Sequence, residues 1–144
     1  MTCNGKQVMK LMLSFVKTMF RMPLPWALWV GSLMAVNMMG PLLFIDRIEA
    51  QVVLAATMAG GAIMMGVYST QRYVRLLGIG HILWVPMVPW LATRDALAMD
   101  TPYGLWLLAV VVMDGFSLVV DFADVMRYVK GEREPWITSG SQSA

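Results

Sequence analysis

Cysteine is almost missing from this chain. Cys3 is the only one, so no disulfide framework can form within it and no cysteine-based zinc site can be built from it alone. Cys3 fits no lipidation motif, and a free thiol is expected. Histidine is equally scarce, with His81 standing alone. Charge is thin: Asp, Glu, Lys and Arg make up 14% of the 144 residues, against 58% hydrophobic. A soluble domain of this length needs far more polar surface, so the composition excludes one and points to an integral membrane protein. Catalytic signatures are missing too. There is no HExxH, no Walker loop, no glycine-rich dinucleotide fingerprint and no Ser-His-Asp context, so no enzymatic activity is expected. The basic residues form no separate basic domain, and nucleic acid is not an expected partner. Lys6, Lys10, Lys17 and Arg21 break up the first apolar stretch, and no small-residue cleavage site precedes Pro23. A cleaved signal peptide is therefore not expected.

What is present is apolar length. The stretches Trp26–Ile45, Ile48–Ser69, Tyr73–Leu91 and Tyr103–Tyr128 each approach or exceed what a helix needs to cross the bilayer. That requirement is roughly 20 residues for about 30 Å of hydrocarbon. Short connections between them predict antiparallel neighbours. The expected fold is an all-α four-helix transmembrane bundle over residues 23–130. Residues 6–22 read as an amphipathic interfacial helix within an N-terminal segment 1–22. Lys6, Lys10, Ser14, Lys17 and Arg21 lie on one side and Val8, Met12, Phe15 and Met19 on the other, a pattern suited to anionic lipid. The tail 131–144 is polar and expected to be disordered.

Orientation follows from basic residues. Lys6, Lys10, Lys17, Arg21, Arg72, Arg75, Arg127, Lys130 and Arg133 fall on one side of these spans, Arg47 and Arg94 on the other. The positive-inside rule then puts both termini in the cytoplasm. Trp26, Tyr73 and Tyr128 at the inner boundary, and Trp90, Tyr103 and Trp106 at the outer one, agree with it. The segments LGIGHILWVPMVPWL and VVDFADVMRYVKGERE resemble those of small multi-pass proteins of the bacterial inner membrane. The resemblance implies that location and no activity.

The polar residues inside the spans are the candidate site. Asp114, Ser117, Asp121, Asp124 and Tyr128 recur at helical spacing and share one face of the last span. A carboxylate facing lipid costs about 2.5–3.5 kcal/mol on insertion scales, so this face is expected to look inward. His81 lies six residues past Arg75 and Asp121 six residues before Arg127. Both therefore sit roughly 9 Å inside the same boundary, and a His81–Asp121 hydrogen bond or ion pair is predicted. Asp124, one turn nearer that boundary, is within reach of Arg72, Arg75 or Arg127. Asp114 is deeper, at about the level of Asn37 and Thr57, either of which could satisfy it.

Four uses compete for these groups. They can be interhelical glue, stations of an ion or proton path, weak metal ligands (His81, Asp121 and Asp124), or, for His81, an axial ligand to a tetrapyrrole lodged beside Gly78. No cofactor is predicted outright. Ala55, Ala59, Ala62 and Gly66 form a small-residue stripe that permits close helix packing, within the bundle or against another chain. Gly60 and Gly61 are expected to loosen that span at its middle. Two functions follow: a non-catalytic accessory or scaffold subunit of a larger membrane assembly, docking on another subunit or on itself, or an oligomeric transporter or channel component using the carboxylates.

Overall fold

A computed structural model describes residues 23–71, 75–94 and 99–131, together with Met9, Lys10, Leu13 and Lys17. The amphipathic helix expected over 6–22 and the tail 131–144 fall mostly outside the described residues. Met9, Lys10, Leu13 and Lys17 are helical and exposed. Every element among the described residues is a helix.

Among the described residues, three helices are long and apolar enough to span a membrane: α1 (Leu24–Leu43), α2 (Ile48–Ser69 within a helix running Ile48–Gln71) and α4 (Pro102–Val129). The third apolar segment departs from the single helix expected over 73–91. It runs as a 3₁₀ helix, Arg75–His81, turns at Ile82 and Leu83, and resumes as the short α3, Trp84–Ala92. The cause is local. Gly78 and Gly80 are poor α-helix formers, and the tighter 3₁₀ winding lets them pack against α2 and α4. Pro86 sits in the first turn of α3, where it removes no needed donor, and Pro89 lies inside it.

Helix ends follow the chain's chemistry. Pro25 starts α1. At α4 the Thr101 hydroxyl accepts the Gly104 N–H at 3.0 Å, with Pro102 at the first helical position. Gly131 ends α4 with φ 103°, the left-handed conformation that glycine adopts without steric cost.

Inside α1 the winding widens to a π-helix over Ala35–Met39. Pro41 accounts for it. Its ring crowds the carbonyl four residues back and offers no N–H, and a wide turn relieves both problems. Gly40 bonds back five residues to the Ala35 carbonyl. The Val36 carbonyl is thereby left without its usual helical donor.

α4 shows two faces. Gly104, Leu107, Val110, Asp114 and Ser117 are buried, whereas Val112, Phe116, Val119 and Phe122 are exposed at the same helical period. The buried face meets the π-helical part of α1, the 3₁₀ segment and α3. Leu33, Val53, Trp84, Met87, Leu91, Leu107 and Val110 form the packed core there. An apolar, lipid-ready outer surface around a core that contains carboxylates is the layout the composition demands.

Candidate functional site

Two polar pairs tie the helices together at different depths. The deeper one joins α1 to α4, where the Asn37 amide donates to Asp114 Oδ1 at 2.7 Å. The same nitrogen reaches the Leu33 carbonyl at 3.2 Å. Both partners are acceptors, so the geometry fixes the amide with its NH₂ group toward them and Oδ1 turned away. Asn37 is 1% exposed and Asp114 0%. Asn37 Oδ1 and Asp114 Oδ2 are both buried without a protein partner.

The second pair joins the 3₁₀ segment to α4. His81 Nδ1 lies 2.6 Å from Asp121 Oδ2, with each side chain about one-fifth exposed (19% and 20%). Gly78 makes this possible. A Cβ there would stand 2.9 Å from both Asp121 Cβ and Oδ1, so only glycine admits the carboxylate. The room beside Gly78 that a tetrapyrrole would need is thus taken by Asp121. Trp84 stacks on the imidazole at 4.0 Å between ring centroids, and its own indole N–H is buried without a protein partner.

The remaining candidates divide. Ser117 is buried on the same face of α4, between Asp114 and Asp121. Thr57 has a buried hydroxyl without a protein partner. Asp124 is half-buried; of the cations expected near it, Arg72 and the Arg75 side chain lie outside the described residues. Among the described residues no group of three or more His, Cys, Asp or Glu side chains is arranged to hold a metal ion. His81 and Asp121 meet without Asp124 as a third ligand.

Ala55, Ala59, Ala62 and Gly66 are all exposed. Ala55 and Ala59 line an open apolar groove of about 540 Å³, whose other wall is Leu83, Pro86 and Trp90. The close helix contact lies elsewhere on α2. Gly60, expected to add flexibility, instead meets Gly80, whose carbonyl oxygen would stand 2.5 Å from a Cβ on Gly60. Two glycines facing each other let α2 and the 3₁₀ segment cross almost backbone to backbone.

Two further constellations escaped the sequence reading. The Trp106 indole donates to the Val36 carbonyl at 2.9 Å, filling the acceptor that the π-turn and Pro41 leave open. Gly40 gives the indole its place, since a Cβ there would collide with the ring. At the same end of the molecule Glu49, 6% exposed, accepts from Arg94 Nε and from the Tyr103 hydroxyl, each at 2.8 Å. Arg47 lies over the Tyr103 ring and Arg94 over the Trp90 ring, at 5.3 and 5.2 Å from their centroids. The signal was available: Glu49, Arg94 and Tyr103 all fall near one boundary by the count that pairs His81 with Asp121. Arg94 reads there only as a marker of orientation and Tyr103 only as a boundary aromatic.

No known protein family, characterised protein or solved structure matches this chain. The reading of its site rests on the geometry above.

Proposed function

We propose that this chain is a small, non-catalytic subunit of the bacterial inner membrane that scaffolds a larger membrane assembly through the small-residue face of α2. The observation that carries this reading is the exposure of Ala55, Ala59, Ala62 and Gly66 beside an apolar groove. Lipid tails match leucine side chains in apolarity, so helices associate in a bilayer chiefly through close backbone approach and interhelical hydrogen bonds. A small-residue face turned outward keeps that contact for another subunit or a second copy. On this reading the Asn37–Asp114 and His81–Asp121 pairs hold the register of the bundle while the α2 face docks.

At rises of ~2.0 and ~1.5 Å per residue the 3₁₀ segment and α3 have a summed length of about 28 Å, near the hydrocarbon thickness. This supports a fourth, broken crossing and hence the antiparallel four-helix arrangement. The excess of basic residues on one side supports cytoplasmic termini, and the cationic side of residues 6–22 supports contact with anionic lipid. The test is the mass of the intact assembly after gentle purification of the tagged protein. Ala59→Leu with Ala62→Leu is expected to shed the partner or second copy while the chain's own melting stays near wild type. An assembly that survives both replacements overturns the reading.

A second reading, an oligomeric transporter or channel component, draws on Asp114. Its free oxygen and that of Asn37 are polar capacity beyond what helix packing uses. Asp114→Asn is then expected to abolish ion or proton flux in vesicles carrying folded protein, and unchanged flux would sink this reading.

A further inference from the structure

α2 and the third segment touch at one level and part beyond it. Gly60 and Gly80 meet almost backbone to backbone, where a Cβ on Gly60 would stand 2.5 Å from the Gly80 carbonyl oxygen. From that crossing toward the Glu49 end, an apolar groove of about 540 Å³ opens between Val52, Ala55 and Ala59 on α2 and Leu83, Pro86 and Trp90. The short side chains of Ala55 and Ala59 leave it unfilled. At its far end the buried Glu49 of α2 accepts from Arg94 Nε at 2.8 Å.

Depth and chemistry decide what the groove takes. Glu49 to Ala59 is ten residues, about 15 Å of helix and half of the roughly 30 Å hydrocarbon core. A crossing helix of another subunit needs a seat over the whole core, whereas an acyl chain needs one leaflet. The lining carries no charged side chain. The charge stands at the boundary end. The Arg94 guanidinium lies over the ring of Trp90, a groove residue, at 5.2 Å from its centroid. Glu49 engages its Nε, and among the described residues nothing accepts from the two terminal nitrogens of this 41% exposed side chain. A guanidinium with those nitrogens open offers the planar fork that pairs with two phosphate oxygens.

We propose that the groove between α2 and α3 is a phospholipid site, with an acyl chain along Ala55 and Ala59 and the lipid phosphate on the Arg94 guanidinium. Glu49 is the positioning residue. It holds Arg94 from the buried side and is itself held by the Tyr103 hydroxyl at 2.8 Å. The lipid belongs to the leaflet on the Glu49–Arg94–Tyr103 side, since the Gly60–Gly80 crossing closes the groove toward the other one. The site goes beyond the docking reading and does not depend on it. Ala62 and Gly66, one and two turns past Ala59, lie outside the groove and stay open to protein contact.

The experiment is native mass spectrometry of the full tagged chain in mild detergent. It is titrated with dioleoylphosphatidylethanolamine or with dioleoylglycerol, which has the same chains and no phosphate. The phospholipid has no net charge, so the basic residues Lys6, Lys10, Lys17 and Arg21 do not draw it. Wild type is expected to retain one phospholipid per chain, held about tenfold more tightly than dioleoylglycerol, the effect of one charge-assisted hydrogen bond. Glu49→Gln with Arg94→Gln removes the guanidinium without stranding a buried carboxylate, and is expected to bind the two lipids equally. Leu83→Trp fills the groove from the wall opposite α2 and is expected to bind neither. Equal affinities in wild type, or no retained lipid, overturn the proposal. So does a preference that survives the double variant, or retention that survives Leu83→Trp. A polypeptide in place of the lipid, shed by Leu83→Trp, overturns it as well. The readout is lipid on the single chain, so its failure is separate from an assembly that survives Ala59→Leu with Ala62→Leu.

Discussion

Glycine and tryptophan decide more at the residue scale than the charged groups do. Gly78 admits Asp121, so Gly78→Ala forces the carboxylate away from His81 and is expected to destabilise the fold by about 1–3 kcal/mol, the usual range for overpacking. Gly115→Ala is the control, because its Cβ would meet only Val88 Cγ1 at 3.8 Å, an ordinary contact. Denaturant titration of the two variants side by side reads the difference, and equal stability would refute the role given to Gly78. Trp106→Phe keeps the ring near Gly40 but leaves the Val36 carbonyl without its donor. The expected loss is about 1 kcal/mol, in line with interhelical hydrogen bonds measured within membranes. The meeting of His81 with Asp121 could be read from depth, since both positions are counted from the same boundary. The reason Gly78 is glycine could not, because it lies on the far side of that contact.

The elements carry strain where sequence patterns disagree with regular winding. In α1, Pro41 and the π-turn belong together, and the turn places Asn37 against Asp114. Pro41→Ala supplies the missing N–H and permits an ordinary α-turn. Closing the π-turn rotates one half of α1 against the other, so Asn37 and Trp106 cannot both keep their partners. The Trp106 indole N–H is then expected to exchange with D₂O faster than in wild type, as read by NMR of the indole proton. Unchanged protection would show that the π-turn has another cause. The third segment teaches the same lesson. Its apolar length is plain in the sequence, but Gly78 and Gly80 favour tight winding only because α2 and α4 close in on them.

At the scale of the whole molecule, the described helices are held at one end by an ionic and aromatic clamp, in the middle by Asn37–Asp114, and nearer the other end by His81–Asp121. Glu49 is buried and Arg94 is 41% exposed, so the partners respond unequally to replacement. Arg94→Gln leaves a buried carboxylate short of its cation and is expected to lower the melting temperature more than Glu49→Gln, which keeps an acceptor for Tyr103. The double variant is expected to be less damaging than the two single losses combined, because it leaves no unpaired charge. Strict additivity in that cycle would mean that the clamp does not act as a unit.

By itself the sequence determined that this chain is helical, that it carries membrane-length apolar segments, and that the Asp114–Ser117–Asp121 face turns inward. Composition, helical period and the cost of a carboxylate in lipid suffice for those conclusions. Only the tertiary structure decided which of Asn37 and Thr57 meets Asp114 and which side of α2 packs. Ala55, Ala59, Ala62 and Gly66 and the glycine at position 60 are all small, and sequence cannot say which of them faces a neighbour. That choice depends on the rotation of each helix about its axis. Here it is set by contacts distant in sequence: Gly60 on Gly80, Asn37 on Asp114, Trp106 on Val36.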